Sequence, residues 1–161
     1  MVTNVIRAAA LATAGLVVAV ATSATAQADN SRLNNGVVAN VYTIQHQAGC
    51  TSEIKKNPAL TLAAEWHTND VLNNRALDGD IGSDGSTAQS RAEAAGFRGR
   101  VFQTVALNPA LAINNLDVLN QWHYNPVTFG IMSDCANTAI GVWSANSLDR
   151  SVVVAVYGQP A

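Results

Sequence analysis

The sequence predicts an α+β domain, because helical periodicity dominates its first half and two β-branched runs close its second half. Apolar residues recur at steps of three and four in the early segments, which is the spacing of one helix face. Near the C-terminus, the runs AIGVWS and SVVVAVY are separated by the turn-like NSLDR and predict a β-hairpin. The predicted order is therefore helices, a strand, a helix and two strands.

The first 28 residues have the pattern of a secretory signal peptide. Arg7 precedes a fourteen-residue apolar run, residues 8–21, and a polar stretch of small residues follows. An uncleaved membrane anchor is the alternative, but the run is Ala-rich and shorter than the roughly 20 residues of a membrane span. Cleavage after Ala26 or after Ala28 fits the small-residue rule. We expect a signal peptide over residues 1–28 and one domain over residues 29–161, with no membrane span.

The charge of the chain argues against several kinds of partner. Its formal net charge is −2, and loss of Arg7 with the leader makes the mature domain −3. Lys55 and Lys56 are the only adjacent cations, apart from the spaced pair Arg98 and Arg100. Without a basic patch, neither nucleic acid nor an anionic membrane surface is expected as the main partner.

The two cysteines, Cys50 and Cys135, form an even number in an oxidising compartment. One disulfide is expected, and it would close a loop of about 85 residues, for which the chain-entropy model gives on the order of 4 kcal/mol. A pair of metal-binding thiols is the alternative. It lacks a neighbouring Cys or His at ligand spacing, since His46, four residues away, would serve only on a helix.

Two helices are predicted in the first half of the domain. Residues 31–47 form the first, and Gly49 ends it. Its apolar face carries Leu33, Val37, Val41 and Ile44. Asn57 caps the second helix, with Pro58 at its first position, and this helix ends near Asn73 and Asn74.

The mid-chain turn DIGSDGSTAQSR precedes a short third helix. Ser86 and Gln89 have the spacing of a capping box, and Gly96 ends this helix. Residues 100–106, RVFQTVA, predict a strand.

A fourth helix begins near Asn114 or Asn115, with Asp117 in its first turn. It ends before Asn125 and Pro126, which are predicted to break it. Among the aromatic residues, Trp66 and Trp122 are expected to fill the core, whereas Trp143 could face either side.

Motifs spread over the whole predicted domain resemble the CAP superfamily of cysteine-rich secretory, antigen five and pathogenesis-related proteins, in its compact bacterial form. They are Gly49 and Cys50 ahead of the NPALTLAAEWHTND helix, GSDGST with Arg91 and AAGF, RVFQTVA, Trp122 with Asn125 and Pro126, and Cys135 before Ile140 and Gly141. The resemblance implies an α-β-α sandwich with a central, mostly antiparallel sheet. It also implies a Cys50 to Cys135 disulfide like that of many secreted bacterial members.

The resemblance implies a cleft whose usual metal ligands are replaced. Family members place a His before GSDG, a Glu in a segment resembling ENIA and a second His after the Trp, a reasonable set for a zinc-like ion. The corresponding positions here are Asp80, Gln103 and Thr128. Because Gln103 and Thr128 are poor metal ligands, we expect no metal and no other cofactor. One hypothesis retains a weak substitute site made of His123 and Asp80. The alternative is that His123 is a surface histidine.

Three further residues are interpreted as structural. Asp84 is expected to satisfy backbone N–H groups of the turn, and Arg91 to reach the same loop. Trp122 belongs to the predicted core. Likewise His67, with Asp70 three residues on, is expected to be a packed or hydrogen-bonded helix residue rather than a ligand.

Two functions follow from the cleft. The preferred one is a secreted, non-enzymatic CAP-like module that holds a small apolar or amphipathic ligand, such as a lipid or sterol, or contacts an envelope component. The secreted protein is either free or associated with the cell wall. The alternative is a secreted hydrolase acting on peptides or envelope polymers. It would need a nucleophile and a base, and the chain has three histidines and no G-x-S-x-G motif.

Overall fold

The structure of the protein is a computed structural model that describes the backbone of residues 22–109 and 113–161, with side chains from residue 30 onward. The predicted signal peptide lies outside these residues up to position 21. The described elements are α1 (Thr22–Gln47), β1 (Lys55–Lys56), α2 (Pro58–Asn73), α3 (Ala88–Ala94), β2 (Gly99–Asn108), α4 (Asn115–His123), α5 (Pro126–Ser133), β3 (Ala139–Asn146) and β4 (Ser151–Pro160).

The central sheet has the strand order β1-β3-β4-β2. β3 and β4 form the predicted hairpin, and β2 pairs antiparallel with the other side of β4. β1 is parallel to β3 and pairs only with Ala139 and Ile140. The sheet is therefore mostly antiparallel, as the resemblance implied.

Helices cover both faces of the sheet. β4 is buried on both sides because its side chains alternate between two hydrophobic cores. The first core joins α1, α4 and α5 to the sheet through Val37, Val41, Val118, Trp122, Met132, Val153, Ala155 and Tyr157. The second joins α2 and α3 to the opposite face through Leu60, Ala64, Val71, Ala92, Val101, Val152, Val154 and Val156. The predicted α-β-α sandwich is confirmed.

The end of α1 and the start of α2 confirm the sequence signals, whereas α1 begins at Thr22, nine residues before the predicted start at Ser31. The Asn57 side chain accepts hydrogen bonds from the backbone N–H groups of Ala59 and Leu60, at 2.9 and 3.2 Å. After α1, Gly49 has a φ of +87°, which glycine adopts without the strain of a Cβ. A Cys50 to Cys135 disulfide follows at this point, so its prediction is also confirmed.

The predicted capping box of α3 is wrong by one residue. Thr87 is the N-cap, and its side chain and that of Ser90 exchange hydrogen bonds with each other's backbone N–H groups. The Ser86 Oγ instead accepts a hydrogen bond from Arg91. Gln89 instead holds the start of β2, donating to the Gly99 carbonyl and accepting from the Val101 N–H.

Asn125 and Pro126 end α4 as predicted, but they also begin a helix that the sequence reading missed. The Asn125 side chain accepts from the backbone N–H groups of Val127 and Thr128, and Pro126 occupies the first turn of α5. Trp66 is a second correction, because its side chain is 42% exposed rather than part of the core. Among the described helices, none combines the length and apolarity needed to cross a membrane.

Candidate functional site

The loop between α2 and α3 is anchored to α2 by Asp70. One Asp70 carboxylate oxygen accepts from the Ser83 N–H and the other from the Ser83 Oγ, both at 2.7 Å. A second bond closes the turn, because the Gly82 N–H donates to the Ser86 carbonyl at 2.9 Å. A Cβ on Gly82 would meet the Ser86 Oγ at 2.6 Å, so a side chain there would have to displace this hydroxyl.

Arg91 connects this loop to the central sheet. Its side chain is only 6% exposed. Nη1 donates to the carbonyl and Oγ of Ser86, at 2.8 and 3.0 Å, while Nη2 donates to the Asp80 carbonyl at 2.8 Å. Nη2 also donates to Oε1 of Gln103 on β2, at 3.1 Å. The guanidinium thereby fixes the loop against β2.

Asp80 and Gln103 meet directly. The Gln103 Nε2 donates to the Asp80 carboxylate at 3.1 Å, and Gln103 is 6% exposed. The Asp80 carboxylate therefore already accepts a hydrogen bond from Gln103, and the Gln103 amide oxygen already accepts one from Arg91. The structure thus brings together two of the four cleft residues named from the sequence.

Thr128 and His123 lie on the other side of the sheet, on α5 and α4. The Thr128 Oγ1 donates to the Trp122 carbonyl at 2.6 Å. His123 is exposed and packs edge-on against the rings of Tyr124 and Phe129. Across the described part of the chain, no hydrogen bond joins either residue to Asp80 or Gln103. Trp122 itself is buried in the first core, as expected.

His67 faces the Asp80 side of the sheet and is fully buried. Its Nε2 is 2.7 Å from the Gly79 carbonyl, so this nitrogen carries the proton and donates it. Nδ1 has no described partner. Burial lowers the pKa of His67, and the nearby positive charge of Arg91 adds to that effect, whereas the Gly79 bond and the carboxylates of Asp70 and Asp80 oppose it.

A shallow pocket of about 240 Å³ opens between α2 and the loop. Its lining residues are Trp66, His67, Asp70, Ser83, Asp84, Ser86 and Arg91. Asp84 is exposed and accepts the Ser86 N–H at 2.9 Å, and hydrogen bonding by Ser86 lowers the pKa of its carboxyl group. We call these lining residues, together with Asp80 and Gln103, the loop cleft.

The donor set of the loop cleft does not fit the divalent metal that the fold family implies. Gln103 supplies a neutral amide oxygen that already accepts from a guanidinium, and the Arg91 charge would repel a cation. Among the residues with described side chains, no group of three or more His, Cys, Asp or Glu could hold a metal ion.

Sequence reasoning missed the role of Trp66 and the bond between Ser83 and Asp70. Trp66 and Asp70 are four residues apart, and this helical spacing alone predicts that both lie on one side of α2. The position of Ser83 depends on how the loop folds back, and no periodicity reports that.

Three solved structures of similar fold have between 9% and 13% sequence identity to this chain. An outer surface protein from Borrelia burgdorferi aligns over 83% of this chain and 94% of its own, with a TM-score of 0.69 and 13% identity. An extracellular protein containing a SCP domain, from Bacillus anthracis, aligns over 86% of this chain with a TM-score of 0.69 and 11% identity. A cysteine-rich secretory protein from Staphylococcus aureus aligns over 81% of this chain, with a TM-score of 0.62 and 9% identity.

The chain has the SCP domain fold of the CAP superfamily. No protein-family model matches the chain, and no curated protein matches it. The chain spans 44% of the Bacillus protein and 39% of the Staphylococcus protein, so it corresponds to one part of each. At these identities the likeness concerns the SCP fold alone.

Proposed function

We propose that residues 1–28 direct export and that the SCP-fold domain, residues 29–161, acts outside the cell as a non-enzymatic binding module. The leader pattern and the disulfide support export. The descriptions of the similar structures as outer surface, extracellular or secretory proteins point the same way.

The non-enzymatic part of this proposal depends on one observation, the hydrogen bonds that Arg91, Asp80 and Gln103 make with one another. Gln103 bonds to the Asp80 carboxylate at 3.1 Å while Arg91 bonds to Gln103 at 3.1 Å. A divalent cation bound between Asp80 and Gln103 would compete with these two hydrogen bonds and would lie beside a guanidinium. These hydrogen bonds therefore stabilise the shape of the loop cleft and make it a poor site for a divalent metal ion acting as a Lewis acid.

The hydrolase alternative lacks an activated nucleophile. The Ser83 Oγ donates to Asp70 and the Ser86 Oγ accepts from Arg91, so neither is bonded to a histidine. His123 makes ring contacts and no described hydrogen bond to a Ser or Thr, so it does not act as a base toward either. These contacts favour binding over hydrolysis.

The ligand that we propose for the loop cleft is a small apolar or amphipathic molecule of the envelope. Trp66 is 42% exposed at the pocket, and Ile81 in the neighbouring turn is 53% exposed. Ser83 and Asp84 offer polar groups beside them. A pocket of about 240 Å³ is below the usual size for a fully enclosed ligand, so we expect part of the molecule to remain outside it.

Zinc calorimetry tests the observation on which this proposal depends. The secreted protein should bind Zn²⁺ no more tightly than about millimolar, whereas a variant combining Asp80→His and Gln103→Glu tests whether the two family ligands that meet in the loop cleft restore affinity. Micromolar binding by the unaltered protein would contradict the proposal. Asp80→Ala and His123→Ala would then identify the ligands.

Ligand retention tests the binding role itself. Protein purified from culture supernatant should carry an extractable apolar compound by native mass spectrometry, and Trp66→Ala should carry less of it. Leu148→Ala is the matched control, because Leu148 is exposed but lies in the turn between β3 and β4. Equal retention by the two variants would exclude the loop cleft as the site.

A further inference from the structure

A groove at the outer edge of the sheet is separate from the loop cleft. β1 pairs only with Ala139 and Ile140, so in the described part of the chain the edge of β3 that faces away from β4 has no strand beside it after Ile140. α1 and α2 flank this edge from opposite faces, and two adjoining pockets of about 150 and 320 Å³ lie between them. We call this region the edge groove, defined by Asn30, Ser31, Asn34, Glu65, Asn69 and Trp143.

The edge groove is rich in neutral amides. Asn30 and Asn34 line it from α1, and Asn69 lines it from α2. Each amide has two donor hydrogens and an acceptor oxygen, and this combination suits hydroxyl groups, which both donate and accept. Charge is nearly balanced, because the charged side chains lining the two pockets are Glu65 and Lys56, and the Lys56 ammonium is bonded to the Asn35 amide oxygen.

Trp143 adds an apolar surface to these polar walls. Its side chain is half-buried, packs against the second core and lines both pockets. A partly exposed indole presents a flat apolar face next to polar groups. A sugar ring has the complementary division, with C–H groups on its face and hydroxyls around its rim.

Asn34 provides an independent sign that a partner is missing. Its Oδ1 is shielded from solvent and accepts no hydrogen bond from any described group. Asn34 lines both pockets. Buried acceptors in native proteins are nearly always paired, and rotation of the Asn34 side chain would turn this oxygen toward a hydroxyl donor in the edge groove.

We propose that the edge groove binds a neutral oligosaccharide, with one sugar ring against Trp143 and hydroxyl groups bonded to Asn34 and Asn69. The amides favour hydroxyls, the balanced charge disfavours phosphate or carboxylate ligands, and the indole favours a ring face. The edge groove and the pocket of the loop cleft share no lining residue, so this proposal does not depend on what the cleft binds.

Nuclear magnetic resonance with defined sugars tests the site. The chain has three tryptophans, and their indole N–H signals report separately on the edge groove (Trp143), the loop cleft (Trp66) and the first core (Trp122). Maltohexaose, cellohexaose, chitohexaose and mannohexaose are each titrated to several millimolar. At least one should shift the Trp143 signal, with a Kd of about 1 mM or tighter, and leave Trp122 unmoved.

Variants then assign the contacts. Asn34→Ala and Asn69→Ala should each weaken binding about threefold to tenfold, the loss expected for one neutral hydrogen bond. Asn120→Ala, an exposed amide on α4, should bind like the unaltered protein. Trp143→Phe, which keeps a ring in the second core, should weaken binding without unfolding the protein.

Three results would overturn the proposal. The first is no Trp143 shift with any neutral hexasaccharide. The second is binding that Asn34→Ala and Asn69→Ala leave unchanged. The third is stronger binding of hexagalacturonate, or of an uncharged β-forming hexapeptide, than of every neutral sugar, because the edge groove would then be an anion or peptide site.

Discussion

At the residue scale, Arg91 is a buried cation that holds a loop to a sheet through four hydrogen bonds, to Ser86 twice, to Asp80 and to Gln103. A charge in such a position is stable only while its partners remain. Removing it leaves the Asp80 carbonyl and the Gln103 amide oxygen without their donor. The free energy needed to remove the Arg91 guanidinium from water is thus offset by its hydrogen bonds to the loop and to Gln103.

Arg91→Ala should therefore destabilise the protein by about 3 kcal/mol, which corresponds to a fall in Tm of about 10 °C for a domain of this size. Thermal unfolding followed by circular dichroism measures it. Arg98→Ala is the control, since the Arg98 side chain is exposed and should change Tm little. An unchanged Tm in Arg91→Ala would refute the structural role of this residue.

Protonation of His67 makes the stability of the folded protein depend on pH. Because its pKa is lowered in the folded protein, the unfolded chain takes up the proton first as pH falls. Its contribution to stability is therefore intact above the ordinary histidine pKa near 6.5 and is lost as pH falls below that value. Arg91, Asp70 and Asp80 are the charged groups that act on it.

The free energy of unfolding should thus decrease more steeply from pH 7.5 to pH 5.5 in the unaltered protein than in His67→Gln. Urea denaturation at both values gives the two differences. His46→Gln, an exposed histidine on α1, should retain the full pH dependence. Equal slopes for His67→Gln and the unaltered protein would show that His67 does not cause the effect.

At the scale of elements, α2 lies against β3 with no space for a side chain at Gly141. A Cβ there would be 2.0 Å from the Thr61 backbone nitrogen and 2.1 Å from the Leu60 carbonyl carbon. Backbone atoms of a capped helix cannot move aside as a flexible side chain can. The close approach of α2 to the sheet therefore depends on this glycine.

Gly141→Ala should accordingly cost about 3 kcal/mol or more, because the helix must separate from the sheet. Gly130→Ala provides the matched comparison, since Gly130 lies in α5 with nothing within 4 Å of its would-be Cβ. That variant should be stabilised by up to about 1 kcal/mol through helix propensity. Chemical denaturation of both variants measures the contrast, and similar destabilisation of the two would contradict the packing argument.

Sequence signals predicted those elements whose cause is local. The Asn57 cap, the start of α4 near Asn114 and the β3–β4 hairpin all occur where short-range patterns placed them. The signals failed where tertiary contacts decide the outcome. Thr87 rather than Ser86 caps α3, and the Ser86 Oγ accepts a hydrogen bond from the buried Arg91 guanidinium. β1 is a strand only through its pairing with β3, which covers two residues. The meeting of Asp80 with Gln103 was inferable only through the resemblance, since 23 residues separate them.

At the scale of the whole molecule, α2 separates the two candidate sites. Glu65 and Asn69 on one side of this helix line the edge groove, while Trp66 and Asp70 line the loop cleft. The two pockets share no lining residue and a helix lies between them, so we expect no coupling free energy between their ligands. The two sites should therefore bind independently, each with the same Kd whether or not the other is occupied.

Removal of the leader is the prediction that concerns the molecule as a whole. α1 begins at Thr22, and its core residues Leu33, Val37, Val41 and Ile44 all follow the expected cleavage sites. Cleavage after Ala26 or Ala28 thus shortens α1 without removing any of the described residues of the first core. The exported protein should have the mass of residues 27–161 or 29–161 less two hydrogens, and reduction should restore those two hydrogens. Protein carrying residues 1–28 in the culture supernatant would contradict the signal peptide, and a mass already fully reduced would contradict the disulfide.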